Sequence, residues 1–471
     1  MDNESIKRKK WEFPNVFALL FGLIVLATAV SYIIPSGSFE RVEKEVNGNV
    51  QTLVVEGTYQ SVEADNATLF GIFEAVFKGM ENAAPIIFFI FIVGGAFGIL
   101  SKTQAVENGL ERLVYKMEDK KFLLIPIIMV LFALGGATFG MSEETIPFLF
   151  ILVPLAIRLG YNPMIGASIV ILGSVAGFTT AFLNPFTVGI AQGIAELPLF
   201  SGKGYRMIMW VVMVSVTIAW VMYKAKKVAK LRQAGKLDEE EIDLSNFQEE
   251  TYALKDVEFT LRQKIILVIF TLTILFLAIG VTKFGWYIME IASLFLLFGV
   301  IAGIIGKMNY NEIADSFIDG CKDLVPGALV VGFAYGVLVI LQESMTIDTI
   351  LNAVANSINE LPSLLSALGM LLTQSGLNFL VPSGSGQAAL SMPIMSSISD
   401  LTDVSRQTAV LAFQLGDGIS NAITPTSGVL MASLAIAKIE WTKWAKFVLP
   451  IILIQYLLAA IFVTIAHLFV F

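Results

Sequence analysis

The chain has 471 residues, 56% of them hydrophobic and 15% charged, with a net charge of −8 and a mean hydropathy of +0.76. Soluble domains carry about 25% charged residues, so the solvent for most of this chain is lipid rather than water. A single cysteine, Cys321, excludes a disulfide scaffold; with the lone His467 it leaves a zinc or haem site without its usual ligands, and the acidic balance offers no basic face for nucleic acid.

Residues 1–12 read as a cytoplasmic N-terminus carrying Lys7, Arg8, Lys9 and Lys10. The basic run before Val16–Ile34 imitates a secretory signal, but the apolar stretch is longer than a signal core and more spans follow, so a retained first helix is expected. Further apolar runs lie at Pro85–Leu100, Met207–Tyr223, Ile265–Val281, Ala292–Gly306, Pro326–Ile340 and Val448–Phe471. Their length and lack of period-two alternation predict helices rather than barrel strands. Thr68–Met80 and Asn309–Gly320 read as amphipathic interfacial helices.

Two stretches resemble each other about 240 residues apart. Gly79 and Pro85 match Gly320 and Pro326, Asn184-Pro185 matches Thr424-Pro425, and Thr180 falls opposite Ser420. Several polar anchors in nearly one register predict an old duplication; chance similarity of apolar segments is the alternative. Each half holds an apolar segment interrupted by Gly, Pro and hydroxyl residues, over 122–161 and 363–398, which predicts re-entrant hairpins. Each also holds a helix broken in its middle, over 164–193 and 403–437, with breaks at Phe178–Pro185 and Gly416–Pro425. Non-helical backbone at membrane depth survives only inside protein or facing water, and paired interrupted segments point to a transporter's binding site. Proline-kinked structural helices are the alternative.

Counting crossings gives a first repeat over 13–223, a cytoplasmic linker over 224–262, a linking transmembrane helix over 263–283 and a second, inverted repeat over 284–471. The fold class expected is an all-α polytopic membrane protein with about nine transmembrane helices, two re-entrant hairpins and two broken helices. Lys224, Lys226, Lys227, Lys230, Arg232 and Lys236 then fall inside, as do Lys102, Arg112, Lys116, Lys120, Lys121, Lys438, Lys443 and Lys446, in keeping with the positive-inside rule. The acidic loop with Glu40, Glu43, Glu45, Glu56, Glu63 and Asp65 falls outside, with the arginine- and lysine-free segment Ser344–Pro362 and the C-terminus. Lys203 and Arg206 also fall outside, against the rule.

Ionisable side chains at membrane depth are functional candidates. Glu143 and Glu144 sit at the first hairpin tip and Asp417 at the second break, with no Arg or Lys in either tip or break. A bound cation, a proton or a cationic substrate group would balance them; a glutamate that only caps the second arm is the alternative. Thr145, Asn184, Thr187, Ser383, Ser385, Gln387, Asn421, Thr424, Thr426 and Ser427 can hydrogen-bond a substrate or coordinate Na⁺. Gly384 and Gly386 permit close backbone approach, and half-helix N-termini can hold a carboxylate without arginine. Candidate Na⁺ positions lie near Ser142, Glu143 and Asn184, and near Ser383, Asp417 and Thr424. Glu290, Glu343, Asp323 and His467 read as interfacial.

The runs Val381–Pro393, Arg406–Gly418 and Thr424–Ala432, with Phe139–Thr145, resemble the YfcC-like carriers of the C4-dicarboxylate anaerobic carrier group, within the ion transporter superfamily. The resemblance covers nearly the whole chain. It implies a homodimeric inner-membrane secondary transporter with a dimerising scaffold and an elevator-like transport domain. It also implies one cation site at Ser142–Glu144 with Asn184–Thr187, and another at Ser383–Gln387 with Asp417–Ser427. The acidic first tip departs from the Ser-Asn-Thr type of dicarboxylate members and suits carriers of basic amino acids such as arginine and ornithine. A carrier of such an amphoteric metabolite, by exchange or cation coupling, is therefore expected; a Na⁺- or H⁺-coupled dicarboxylate carrier is the alternative. A channel would need a continuous polar pathway, and an enzyme would need a nucleophile–base pair or metal cluster near the polar centre.

Overall fold

The computed structural model describes residues 16–46, 49–63, 68–106, 108–109, 112, 121–233, 259–286, 288–322 and 324–471. The N-terminal segment with its basic run, Asp65, Lys116, Lys120, linker residues 234–258 with Lys236, and Asp323 lie outside the described residues.

Helix α1 spans Val16–Ser31 and leads into four short strands: β1 (Gly37–Ser38), β2 (Arg41–Val46), β3 (Asn49–Val54) and β4 (Gln60–Ser61). β2 and β3 pair antiparallel from Arg41↔Val54 to Val46↔Asn49, and β1 pairs with β4. The fold is mostly helical, in keeping with the all-α expectation, with this small antiparallel β insert as a local addition.

Next come the amphipathic α2 (Gly71–Asn82) and α3 (Ala84–Lys102), which begins with Pro85 in its first turn. Proline is tolerated there because the missing N–H has no helical partner. Two arms follow, α4 (Lys121–Phe139) and α5 (Ile146–Arg158), then α6 (Pro163–Thr179), a π turn at Pro185–Gly189, and the short α7 (Ile190–Ile194). The long α8 (Lys203–Gln233) carries Lys230 and Arg232 in its last turn. Beyond the linker, α9 (Leu261–Phe284) starts at a capping box between Thr260 and Gln263 and stops at Gly285 with φ +67°.

The second half runs through α10 (Ile288–Ile305), the amphipathic α11 (Tyr310–Lys322), α12 (Val325–Glu343) and α13 (Thr346–Asn359). The arms α14 (Ser363–Leu380) and α15 (Gly384–Leu401) precede α16 (Arg406–Ser420), α17 (Gly428–Ile436) and α18 (Trp441–Ile465). By length and composition, six described helices can cross a membrane, the arm Ser363–Leu380 among them. The outer faces of these helices expose apolar side chains such as Phe88, Leu297 and Leu453, and α9 exposes Val268 and Leu272, as lipid-facing surfaces do.

Helix contacts are reciprocal between the halves. α1 and α2 pack on α12, while α10 and α11 pack on α3. The crossings are glycine on glycine: a Cβ on Gly79 would strike the main chain of Gly332 and Gly336, and one on Gly320 that of Gly94 and Gly98. In lipid, where apolar side chains gain little by leaving their solvent, small residues let helices approach and gain packing energy.

An inner group repeats the same logic. α4 lies along α6, α14 lies along α16, and α6 faces α16. Gly177 abuts the main chain at Ala133, and Gly416 abuts Leu371 and Ser375. Gly418 meets Thr179 across the two broken helices, and Gln414 Nε2 donates to the Phe178 carbonyl at 2.6 Å. The second break therefore differs from expectation: Gly416, Asp417 and Gly418 stay helical and the helix opens only after Ser420. These glycines serve close approach, not unwinding. Trp444 Nε1 and Trp441 Nε1, from α18, donate to the carbonyls of Ala422 and Ile423, each at 2.8 Å, satisfying backbone that the break frees.

Candidate functional site

The first hairpin turns at Gly140, whose φ is +73° and whose missing Cβ leaves room for the Asn184 amide. A side chain there would suffer both the left-handed backbone and the collision. Asn184 is fully buried and caps the restarted helix, its Oδ1 accepting from Phe186 N at 2.9 Å and Thr187 N at 3.3 Å. At the tip itself, a 3₁₀ turn over Glu143–Thr145 opens α5. Glu144 is 4% exposed and its Oε2 accepts from Ser142 N at 2.9 Å, while Thr145 Oγ1 donates to the Ser142 carbonyl. Glu144 thus folds back on its own turn, and Glu143 is the half-exposed acid.

The second tip is shorter than the sequence suggests, only Val381–Ser383, because Gly384, Ser385, Gly386 and Gln387 already form the first turn of α15. Ser383 caps that turn through Gly386 N at 3.3 Å, and Ser427 caps α17 through Leu430 N at 3.4 Å.

These ends meet around one cavity of about 400 Å³, lined by Ser142, Glu143 and Glu144, by Phe186 and Thr187, by Ser383–Ser385, and by Asn421, Ser427 and Gly428. Four helix N-termini, those of α5, the π turn, α15 and α17, therefore converge on it. Each brings the partial positive charge of a helix start, while Asn184, Ser383 and Ser427 accept from some of the first N–H groups. Glu143 and Glu144 supply negative charge on the same wall.

Asp417 stands behind this cavity rather than in its lining. It is fully buried, its Oδ1 accepts from Asn421 Nδ2 at 3.2 Å, and its Oδ2 has no hydrogen-bond partner. A Cβ on Gly384 would lie 3.2 Å from that Oδ2 and 2.6 Å from Thr187 Cγ2, so Gly384 is held between the two broken helices. The hydroxyls of Thr187 and Thr179 are likewise buried and unpartnered. Thr179 lies against Gly418, the residue after Asp417, and Thr187 turns its methyl toward Gly384, so buried hydroxyl side chains from the first half lie in the neighbourhood of this carboxylate.

Other expected residues face elsewhere. Gln387 Nε2 bonds Gln374 Oε1 at 2.7 Å inside the second hairpin, and Thr426 Oγ1 donates to the Phe379 carbonyl at 2.8 Å. Thr424 is buried in the break, its N–H bonded to Ser420, and Gly386 faces a different space beneath the β insert. Among the flanking ionisable residues, Glu343 pairs with Lys78 at 2.6 Å, and His467 Nε2 lies 2.8 Å from Ser363 Oγ. Sequence reasoning missed Tyr335 and Phe178, which line the cavity, and Asn378, which donates to the Asp417 carbonyl at 3.1 Å. A tyrosine in the middle of an otherwise apolar span was the available signal for Tyr335.

Residues 13–468 match the family described as the C4-dicarboxylate anaerobic carrier. The chain belongs to that family. It is therefore a multi-pass membrane transporter. A relative in Escherichia coli (strain K12), "Putative basic amino acid antiporter YfcC", is 34% identical over 478 residues, covering 94% of each chain. A Haemophilus influenzae relative is 29% identical over 487 residues, covering 95% of this chain and 96% of its own. Among solved structures, Neisseria gonorrhoeae MtrF, of a class of antimetabolite efflux pumps, gives a TM-score of 0.42 at 17% identity, covering 98% of this chain and 96% of its own. The YdaH transporter of Alcanivorax borkumensis gives 0.42 at 14% identity, covering 96% and 98%. Likeness at that level leaves the arrangement of this carrier to its own contacts.

Proposed function

We propose that this carrier moves a small metabolite bearing both a carboxylate and a cationic group, best met by a basic amino acid such as arginine or ornithine, by exchange or with a coupled cation. The convergence of four helix N-termini on a cavity that also holds Glu143 carries the reading. The N-termini take the substrate carboxylate, and Glu143 takes the cationic group. The name of the Escherichia coli relative supports the same class. Asp417, Thr187 and Thr179 are the oxygen donors for a coupled Na⁺ or proton. A second reading, a Na⁺- or H⁺-coupled C4-dicarboxylate carrier, is favoured by the family's description and by the same N-termini, but leaves Glu143 facing an anion.

In this reading the two halves are inverted repeats, which the reciprocal glycine crossings support. The chain works as a homodimer in a bacterial inner membrane, N-terminus inside and C-terminus outside. The inner group of hairpins and broken helices moves, elevator-like, against α1–α3 and α10–α12.

Uptake of labelled arginine, ornithine and succinate into proteoliposomes, with and without Na⁺ or a proton gradient, tests the substrate class. Saturable arginine or ornithine uptake is expected; saturable succinate uptake indifferent to arginine overturns it. Within that assay Glu143→Gln raises KM for the cationic substrate about tenfold or more, since hydrogen bonds to charged groups contribute about 1.5–3 kcal/mol. Glu144→Gln, whose amide oxygen can still accept from Ser142 N, stays within about threefold of wild type.

A further inference from the structure

The β insert is fastened unequally to its two neighbours. Toward the end of α12 and the start of α13 it makes a dense set of polar contacts. Arg41 pairs with Asp348 at 2.8 Å, Phe39 N donates to the same carboxylate at 2.9 Å, and Gly37 N donates to the Met345 carbonyl at 2.9 Å. Ser36 Oγ donates to the Ser344 carbonyl, and Tyr59 shares a hydrogen bond with Thr349, each at 2.9 Å. Asp348 is nearly buried, so this ion pair is shielded from solvent on one side. Toward the second hairpin arm, α15, strand β3 packs closely but the contacts are of another kind, apolar rather than polar: Leu53 rests on Ala389, flanked by Ile194, with one exposed hydrogen bond from Ser397 to Glu56.

Between these two attachments lies a cavity of about 600 Å³. Its roof is the insert, at Gly37, Ser38, Arg41 and Thr52; its floor reaches the second hairpin tip at Val381 and Gly386. The tip thus has one side on this space and the other, Ser383–Ser385, on the central cavity.

We infer that the insert is a fixed roof over an access vestibule, and that α15 slides beneath it during transport. A strap pinned by an ion pair and buried main-chain hydrogen bonds on one side, but resting on apolar contacts on the other, slips at the apolar interface. Apolar contacts have no fixed direction, so the patch of Leu53, Ala389 and Ile194 can shift in register without leaving a buried polar group unpaired. The vestibule beneath admits a small polar solute of the transported class to the hairpin tip. This inference rests on the proposed movement of the inner group, and the experiment separates the two.

In a Cys321→Ser background, Leu53→Cys with Ala389→Cys is bridged by oxidation or by a short bifunctional thiol reagent in proteoliposomes. Ser36→Cys with Ser344→Cys is bridged in parallel. The first bridge is expected to lower uptake at least tenfold, reversibly with a thiol reductant, whereas the second leaves uptake near its unbridged rate. A formed Leu53–Ala389 bridge with undiminished uptake overturns the sliding interface. As an independent measurement, Val381→Cys is labelled with a bulky membrane-impermeant maleimide. Reaction from one face only, with loss of uptake relative to the unlabelled variant, is expected. Full labelling with unchanged uptake, or no labelling from either face, overturns the vestibule. If uptake fails in the unbridged, unlabelled proteins while the folded carrier is present, it is the transport reading that falls.

Discussion

Asp417→Asn is expected to lower coupled uptake about 30- to 100-fold, the equivalent of about 2–3 kcal/mol, while the folded protein is no less stable. The two effects run in different directions for one reason. A carboxylate buried with a single hydrogen bond, and with no Lys or Arg ion-paired to it among the described residues, costs stability. Asparagine keeps its shape and its bond with Asn421 but removes the charge. If Asp417 were a structural residue, the substitution would be neutral for uptake. If it neutralises a travelling cation, uptake and cation dependence vanish together, and the melting temperature in detergent stays the same or rises. Wild-type uptake rates with unchanged cation dependence would remove Asp417 from the mechanism.

Gly384→Ala carries the second large effect. The added methyl would lie 2.6 Å from Thr187 Cγ2 and 3.2 Å from Asp417 Oδ2, wedged between elements from both halves. Overpacking costs about 1–3 kcal/mol; borne by the transporting state, that is a loss of about 10- to 100-fold. Gly369→Ala is the matched control. Its methyl would meet Ile358 Cγ1 at 3.5 Å and Leu361 Cδ1 at 3.6 Å, ordinary contact distances. Alanine in a helix also gains roughly 0.8–1 kcal/mol over glycine, so uptake and stability are expected to hold. Equal uptake by both variants would show that the space around Gly384 is not the constraint.

Much of the architecture was readable because membranes restrict it. Apolar runs of that length pointed to helices, and Asn184-Pro185, beside Thr179 and Thr180, pointed to an interrupted one, although Pro126, Pro154, Pro393 and Pro450 sit inside helices that continue. The acids at 143, 144 and 417 were conspicuous because little else there is charged. The misreadings share a cause: a residue type that serves two purposes. Glycine at 416 and 418 looked like a helix breaker and is instead a contact surface, which only the neighbours Gln374 and Thr179 reveal. Glu143 and Glu144 looked equivalent and both line the cavity, yet Glu144 is the more buried and accepts from Ser142 N in its own turn. Gln387 sat in a promising motif but turns toward Gln374, since a helix's first turn points successive side chains in different directions. The β insert had a signal in the open. Asn47-Gly48 sits between the valine-bearing runs Arg41–Val46 and Asn49–Val54, and an Asn-Gly pair between two such runs marks a hairpin. Its acidic charge drew attention to topology instead of to strands.

The convergence of helix ends also has a consequence for how selectivity can change. Amide dipoles do not ionise, so on the proposed function the pull of the helix ends on a substrate carboxylate has the same strength at any pH at which the helices persist. It also survives substitution of the side chains around it. Discrimination between one solute and another is then left to the few side chains that complement the main chain, Glu143 above all. On the proposed function, a carrier built this way would keep a generic grip on carboxylates and could be retuned from zwitterion to dianion at the acidic tip alone, Glu143 with Glu144.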